Sequence, residues 1–305
     1  MNALVVGGTG FIGASVAREL EAQGHAVHTV AGRQHQPSGE RVHAFRPGLY
    51  RDLTPLLDRT ELVVYAAGSV LPRKEPALPA ALQADVEPLA ELLAVLTAKS
   101  TPTRFLLLSS GGAVYGPSDE VLTEASPTAP ASVYGLTRTF MEDAVLFASR
   151  LSQIRGLVFR LSNIYGPGQR LGGGSTFILK ALHCALNQEP LPLIGAGDQT
   201  KDFLYLDDLL RAVSCAVASS RAWEAGHIVN VCAGESHTLR AVIDAVEKTT
   251  GRALLVRAVA GGAGDVPHVQ LSAAKASHLL GWRSQVPLWQ GIQEFWGRMA
   301  VGVAA

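Results

Sequence analysis

The stretch "VVGGTGFIG" (5–13) sets glycines at 7, 10 and 13 between a β-branched run and an amphipathic helical pattern. Few folds accept that order. Glycine lets a strand turn tightly into a helix and lets an anion approach the unpaired N–H groups of the helix N-terminus. In the helix that follows, Ile12, Val16, Ala17 and Leu20 share a face, Arg18, Glu19 and Glu21 fall elsewhere, and Gly24 ends it. The rhythm then repeats. "AVHTVA", "VHAF", "LVVYAAG", "RFLLLSS" and "GLVFRLS" alternate with helical patterns near 79–99 and 132–150. Apolar strands separated by helices require a parallel sheet covered on both faces.

The expected fold is therefore α/β, a Rossmann-type doubly wound parallel sheet with a smaller C-terminal substrate lobe. After residue 166 the chain passes into the Gly-rich "GPGQRLGGGS", a helix from about Thr176 to Asn187 and the short strand "PLPLIG". "DFLYLDDLLRAV" and "HIVNVC" read as returns to the sheet, and helices near 238–250, 272–280 and 288–299 surround the strand "ALLVRAV". The expected division gives 1–166, with 203–233 returning to it, to an NAD(P)-binding domain, and 167–202 and 234–305 to the substrate lobe.

The 305 residues carry 26 Lys+Arg against 26 Asp+Glu, so no net field draws the chain to nucleic acid or an anionic membrane. No apolar run approaches the ~20 residues of a membrane helix, and "MNALVVGGTG" lacks the pattern of a signal peptide. The expectation is a cytoplasmic protein. Cys184, Cys215 and Cys232 are widely spaced in apolar segments and read as free thiols, and none of the nine histidines has metal-ligand spacing, so no metal is expected. Asp207 and Asp208 open a helix and read as its N-terminal cap and charge partner.

The glycine turn implies a dinucleotide against Gly7, Gly10, Phe11, Ile12 and Gly13. The second strand ends "VAGR", with no carboxylate to accept from a ribose 2′-OH, and Arg33 stands where it can bind a 2′-phosphate. The cofactor is thus NAD or NADP, with NADP favoured.

"GGTGFIG", "SSGGAVYG", "YGLTR", "RLSNIYGPGQ" and "KDFLYLDDL", in that order, resemble the extended short-chain dehydrogenase/reductases, and within them the NAD-dependent epimerase/dehydratases typified by UDP-glucose 4-epimerase. The resemblance extends to the closing "LGW…PLWQGIQEFW". It implies an NAD(P)-dependent epimerase or 4-ketoreductase that transfers a hydride at a sugar carbon of a nucleotide sugar. Tyr134 falls on the acid/base tyrosine, whose free phenol has a pKa near ~10 and needs a neighbouring cation. Arg138 falls on the lysine that binds the nicotinamide ribose. Ser110 is the candidate for the hydroxyl that holds the sugar oxygen. Ala66 and Ala67 match the strand end along the cofactor, Asn163 the residue that bonds the nucleotide sugar, and Lys201 an arginine at the nucleotide phosphates. The resemblance also implies a homodimer, built on helices near "LAELLAVL" and "FMEDAVLFA".

The chain departs from the family pattern at several positions. Arginine replaces lysine at 138, Asp85 replaces an asparagine under the cofactor, Gly111 and Ala113 occupy the usual hydroxyl positions, and Gly262 lies near an expected phosphate arginine. These departures keep a second expectation open, a dinucleotide-binding protein with little or no activity that serves as a scaffold or sensor.

Overall fold

The computed structural model describes residues 1–32, 41–71, 76–172, 174–224, 226–259 and 268–303. Its strands are β1 (Asn2–Val6), β2 (Ala26–Ala31), β3 (Val42–Ala44), β4 (Leu62–Tyr65), β5 (Thr103–Ser110), β6 (Ile154–Leu161), β7 (Asn163–Tyr165), β8 (Leu191–Ile194), β9 (Thr200–Tyr205), β10 (His227–Val231), β11 (Ser236–Thr238) and β12 (Val256–Val259). The longer helices are α1 (Phe11–Ala22), α2 (Glu87–Thr97), α3 (Val133–Leu151), α4 (Phe177–Asn187), α5 (Leu206–Ala218), α6 (Leu239–Thr250), α7 (Ala274–Leu280) and α8 (Leu288–Val303).

Seven strands form one sheet in the order β10-β6-β5-β4-β1-β2-β3, each parallel to its neighbours. This is the expected doubly wound architecture. Side-chain alternation divides β1 between two cores. Ala3 and Val5 pack with Val16, Leu20, Leu209, Val213 and Leu280 from α1, α5 and α7. Leu4 and Val6 pack with Leu89, Leu92, Leu96, Met141 and Val145 from α2 and α3. The order in which strands are added reverses between β1 and β4, which opens a crevice at the carboxyl ends of those parallel strands.

The helix expected near 79–99 has three parts. A turn at Leu78–Ala81 leads into a wider π-helical turn at Leu82–Val86 and then into α2. Pro88 has no N–H to return to Ala84, and the widened turn absorbs that missing bond. Asp85 sits in this turn and is buried.

In the smaller lobe β7 pairs parallel to β9 and β9 antiparallel to β11, while β8 pairs with β12. Tyr165, Phe203, Tyr205, Leu182, Val242 and Phe295 lie in its core. Of the segment expected to return to the large sheet, β10 joins it. β9 pairs with β7 instead, and α5 packs on α1. Only Ser162 separates β6 from β7, so the small sheet begins at the carboxyl end of the large one.

Asp208 differs from its sequence reading. The backbone cap of α5 is Tyr205 and no side chain caps it. The Asp208 carboxylate is fully buried. It accepts from Ser284 Oγ at 2.9 Å and from the backbone N–H groups of Gln285 (2.9 Å) and Val286 (3.0 Å), and it pairs with Arg211. It clasps the C-terminal segment to the body of the protein. Trp282 joins this clasp by donating from its indole to the Asp208 carbonyl oxygen, whereas Trp289 is exposed.

Candidate active site

The glycine turn is built for close approach. Gly7 has φ +83°, and a Cβ there would stand 2.8 Å from the Ala67 nitrogen. A Cβ on Gly13 would overlap the Gly7 carbonyl oxygen. The turn closes through Gly10 N–H to Gly7 O (2.9 Å), and Gly7 N–H reaches across to Val30 O (2.9 Å). No side chain caps α1 at Gly10 and no acidic residue stands in its first turn, so the positive end of the helix faces the crevice. An anionic pyrophosphate fits this cradle.

Two clefts meet here. One is lined by Gly7, Val30, Ala31, Gly32, Phe45 and Tyr50 and suits a flat heteroaromatic base. The other runs along Phe11, Ile12, Ala66, Ser110, Tyr134, Arg138 and Asn163. Gly68 borders both. The strand ends therefore bring Phe11, Ile12 and Ala66 beside Tyr134, Arg138, Ser110 and Asn163, while Gly7 and Ala67 border the first cleft. Arg33 lies outside the described residues, as does Gly262.

α3 starts at Ser132, whose Oγ accepts from Gly135 N–H at 3.1 Å. This cap fixes the first turn, and therefore Tyr134, against the end of β5. Gly135 is needed there because a Cβ would meet the Ala113 carbonyl. One turn on, the guanidinium carbon of Arg138 stands 5.1 Å from the centre of the Tyr134 ring. Arg138 is 5 % exposed. It donates to Ala67 O and to Asp85 Oδ2, each at 3.3 Å. Its Nε–H is buried without a hydrogen-bond partner among the described residues.

The two serines at the end of β5 separate by their partners. Ser109 is buried and donates to Glu142 Oε1 at 2.5 Å. Glu142 in turn holds Arg160 through Nε (3.0 Å) and Nη2 (2.6 Å), and Arg160 lies over the Tyr115 ring at 4.6 Å. Both serines line the cleft, but the Ser109 hydroxyl is tied to Glu142, whereas Ser110 makes no side-chain hydrogen bond among the described residues. A side chain at Gly111, the family's usual hydroxyl position, would meet Leu271 Cδ1 at 2.6 Å, so that leucine would have to shift to admit it.

Asn163 lies where the cleft continues into a second groove with Thr176, Lys180, Gln199, Lys201 and Phe203. Its amide donates to Asp202 O at 2.9 Å. The Asp202 carboxylate is itself fully buried and accepts from Ala233 N–H (2.9 Å) and Gly234 N–H (3.0 Å). Burial outweighs those bonds and pushes its pKa up to about 6. Asp202 therefore ties the substrate side of the cleft to the chain leaving β10.

Sequence reasoning missed Gly68, Ser162, Gln169 and Thr176. Gln169 and Thr176 border the cleft joined by a 2.9 Å hydrogen bond, and Ser162 lines the same cleft beside the buried Asp202 carboxylate. For Gln169 and Thr176 the signal was the polar, glycine-rich composition of 166–176, whereas Gly68 and Ser162 follow apolar strands. Among the described residues, no group of His, Cys, Asp and Glu is arranged to hold a metal. No described helix is long and apolar enough to cross a membrane.

The fold and this cleft define a dinucleotide-dependent enzyme of the short-chain dehydrogenase type, and comparison with known proteins makes the class specific. The model of the NAD dependent epimerase/dehydratase family matches residues 3–232, and the chain belongs to that family. It is 31% identical to dTDP-6-deoxy-L-talose 4-dehydrogenase (NAD(P)(+)) of Kitasatospora kifunensis, over 96% of this chain and 93% of that protein. It is also 31% identical to dTDP-4-dehydro-6-deoxyglucose reductase of Escherichia coli, over 63% of this chain and 60% of that protein. The UDP-glucose 4-epimerase of Thermus thermophilus, solved with NAD, superposes with a TM-score of 0.88 at 25% identity, covering 98% of this chain and 99% of that one.

Proposed function

We infer that this protein is an NAD(P)-dependent epimerase or 4-ketoreductase acting on a nucleotide sugar. The observation that carries the reading is the cleft that runs from Phe11 and Ile12, just after the glycine turn, to Tyr134, Arg138 and Ser110 and continues past Asn163 into the groove bearing Lys201. A groove with lysines at its polar edge and Phe177 and Phe203 in its wall suits a nucleoside diphosphate.

When bound, the nicotinamide supplies hydride transfer. Tyr134 moves the accompanying proton at its phenol oxygen, taking it from a sugar hydroxyl or returning it to a keto oxygen. Ser110 donates to the same oxygen and opposes its drift from Tyr134. Arg138, which lines the cleft, would hold the ribose and keeps a positive charge beside the ring of Tyr134. Asn163, held by the Asp202 carbonyl, orients the sugar, and Lys201 faces the phosphates. Epimerisation follows if the oxidised sugar turns before the hydride returns, and net reduction follows if a 4-keto sugar enters with reduced cofactor.

NADP is the favoured cofactor, because neither Ala31 nor Gly32 at the end of β2 brings a negative charge against a 2′-phosphate. A homodimer is supported by Phe140, Phe147 and Leu151, all exposed on α3 beside α2. A cytoplasmic location remains part of this proposal.

The experiment is turnover of UDP-glucose, UDP-N-acetylglucosamine and 4-keto sugar nucleotides with each cofactor. Product is expected in at least one case, and Tyr134→Phe removes it. No turnover across the panel, with dinucleotide still bound, would instead support the scaffold or sensor reading.

A further inference from the structure

Two departures from the family pattern, Arg138 for lysine and Asp85 for asparagine, lie 53 residues apart and meet in the structure. The Asp85 carboxylate is 2 % exposed and the Arg138 guanidinium reaches it at 3.3 Å. Asp85 is held in turn by the chain leaving β4, accepting from Ser69 N–H at 2.6 Å and Val70 N–H at 3.3 Å. It stands in the π-helical turn ahead of Pro88, a local widening of the kind that accompanies functional positions. Gly68 completes the arrangement, because a Cβ there would overlap the Arg138 Nη2 atom.

A guanidinium is longer and wider than an ammonium and spreads its donors in a plane. Left alone in a cleft sized for lysine, it would have no fixed direction. Here one edge is tied to Asp85 and to the Ala67 carbonyl, which fixes the guanidinium beside Tyr134 where it lines the cleft. A buried pair of this kind tolerates replacement of both members far better than loss of one, because a single change leaves a buried charge uncompensated.

We propose that Asp85 is a positioning residue that acts through Arg138, and that Asp85, Arg138 and Gly68 form one exchangeable unit serving in place of a lysine and an asparagine at the cofactor's ribose. This rests on the reading of Arg138 as a cofactor-binding residue, and its test reads dinucleotide binding directly, so that it stands apart from any question of turnover.

The experiment measures NADH and NADPH affinity by fluorescence titration for the wild type, Asp85→Asn, Arg138→Lys and the double variant, with thermal unfolding to verify that each is folded. Each single change is expected to weaken binding about tenfold or more, while the double variant binds about tenfold tighter than either single, a non-additive result typical of directly coupled groups. Gly68→Ala is expected to weaken binding in the arginine background and to be nearly neutral in the double variant, where the lysine leaves room for the methyl. Additive losses in the double variant would overturn the proposal, as would an Asp85→Asn protein that binds dinucleotide as tightly as the wild type. If a single variant fails to fold, the Gly68→Ala comparison in the two backgrounds decides alone, and equal losses in both overturn the proposal.

Discussion

Asp202 links the protein's stability to pH in a direction opposite to most carboxylates. Its pKa is about 6 in the folded chain because burial outweighs the bonds from Ala233 and Gly234, whereas an unfolded aspartate titrates near ~3.9. Between those values the folded state holds a proton that the unfolded state has released, so the stability contribution falls as pH rises through that window. A separation of about two pKa units corresponds to about 3 kcal/mol once both states are ionised, of which about 2 kcal/mol accrues between about pH 4.5 and pH 7.5. Asp202→Asn removes the titration and alters the local hydrogen bonds by an amount that does not depend on pH. Urea denaturation of both proteins at the two pH values isolates the term. The variant is expected to gain about 2 kcal/mol relative to the wild type on going to the higher pH. A difference between the two proteins that stays constant with pH would refute the reasoning, and one that moves the other way would show that the backbone donors outweigh burial.

The remaining predictions test other parts of the molecule. Gly13→Ala drives a methyl into the Gly7 carbonyl, so dinucleotide binding measured by titration is expected to fall at least about a hundredfold, with the fold destabilised by about 1–3 kcal/mol. Asp208→Ala leaves two part-buried N–H groups and the Ser284 hydroxyl without their acceptor and Arg211 without its buried partner, a loss of about 3 kcal/mol visible in chemical denaturation. Phe147→Asp places a charge on the exposed apolar stripe of α3, and light scattering is expected to report the monomer in place of a dimer.

Much of the fold was legible because its signals are local. The glycine turn, the 3.6-residue period of α1 and the alternation of β1 each arise from a dozen residues or fewer, and each formed as read. The approach of Tyr134 to Arg138 was legible for the same reason, since one helical turn separates them. Asp207 and Asp208 stand in the first turn of α5 as read, but neither caps it, and three of the groups that hold Asp208, those of Ser284, Gln285 and Val286, lie more than seventy residues away.

By itself, then, the chain's pattern determined the parallel sheet, the dinucleotide turn and the order of the cleft residues along it, because backbone geometry and side-chain periodicity act over a few positions. Only the tertiary structure decided that β9 pairs with β7, that the Ser109 hydroxyl is held by Glu142, that Leu271 lies in the space a side chain at 111 would enter, and that Arg138 meets Asp85. Those outcomes depend on which distant groups share a buried volume. There, unpaired charges are costly and two atoms cannot occupy one place.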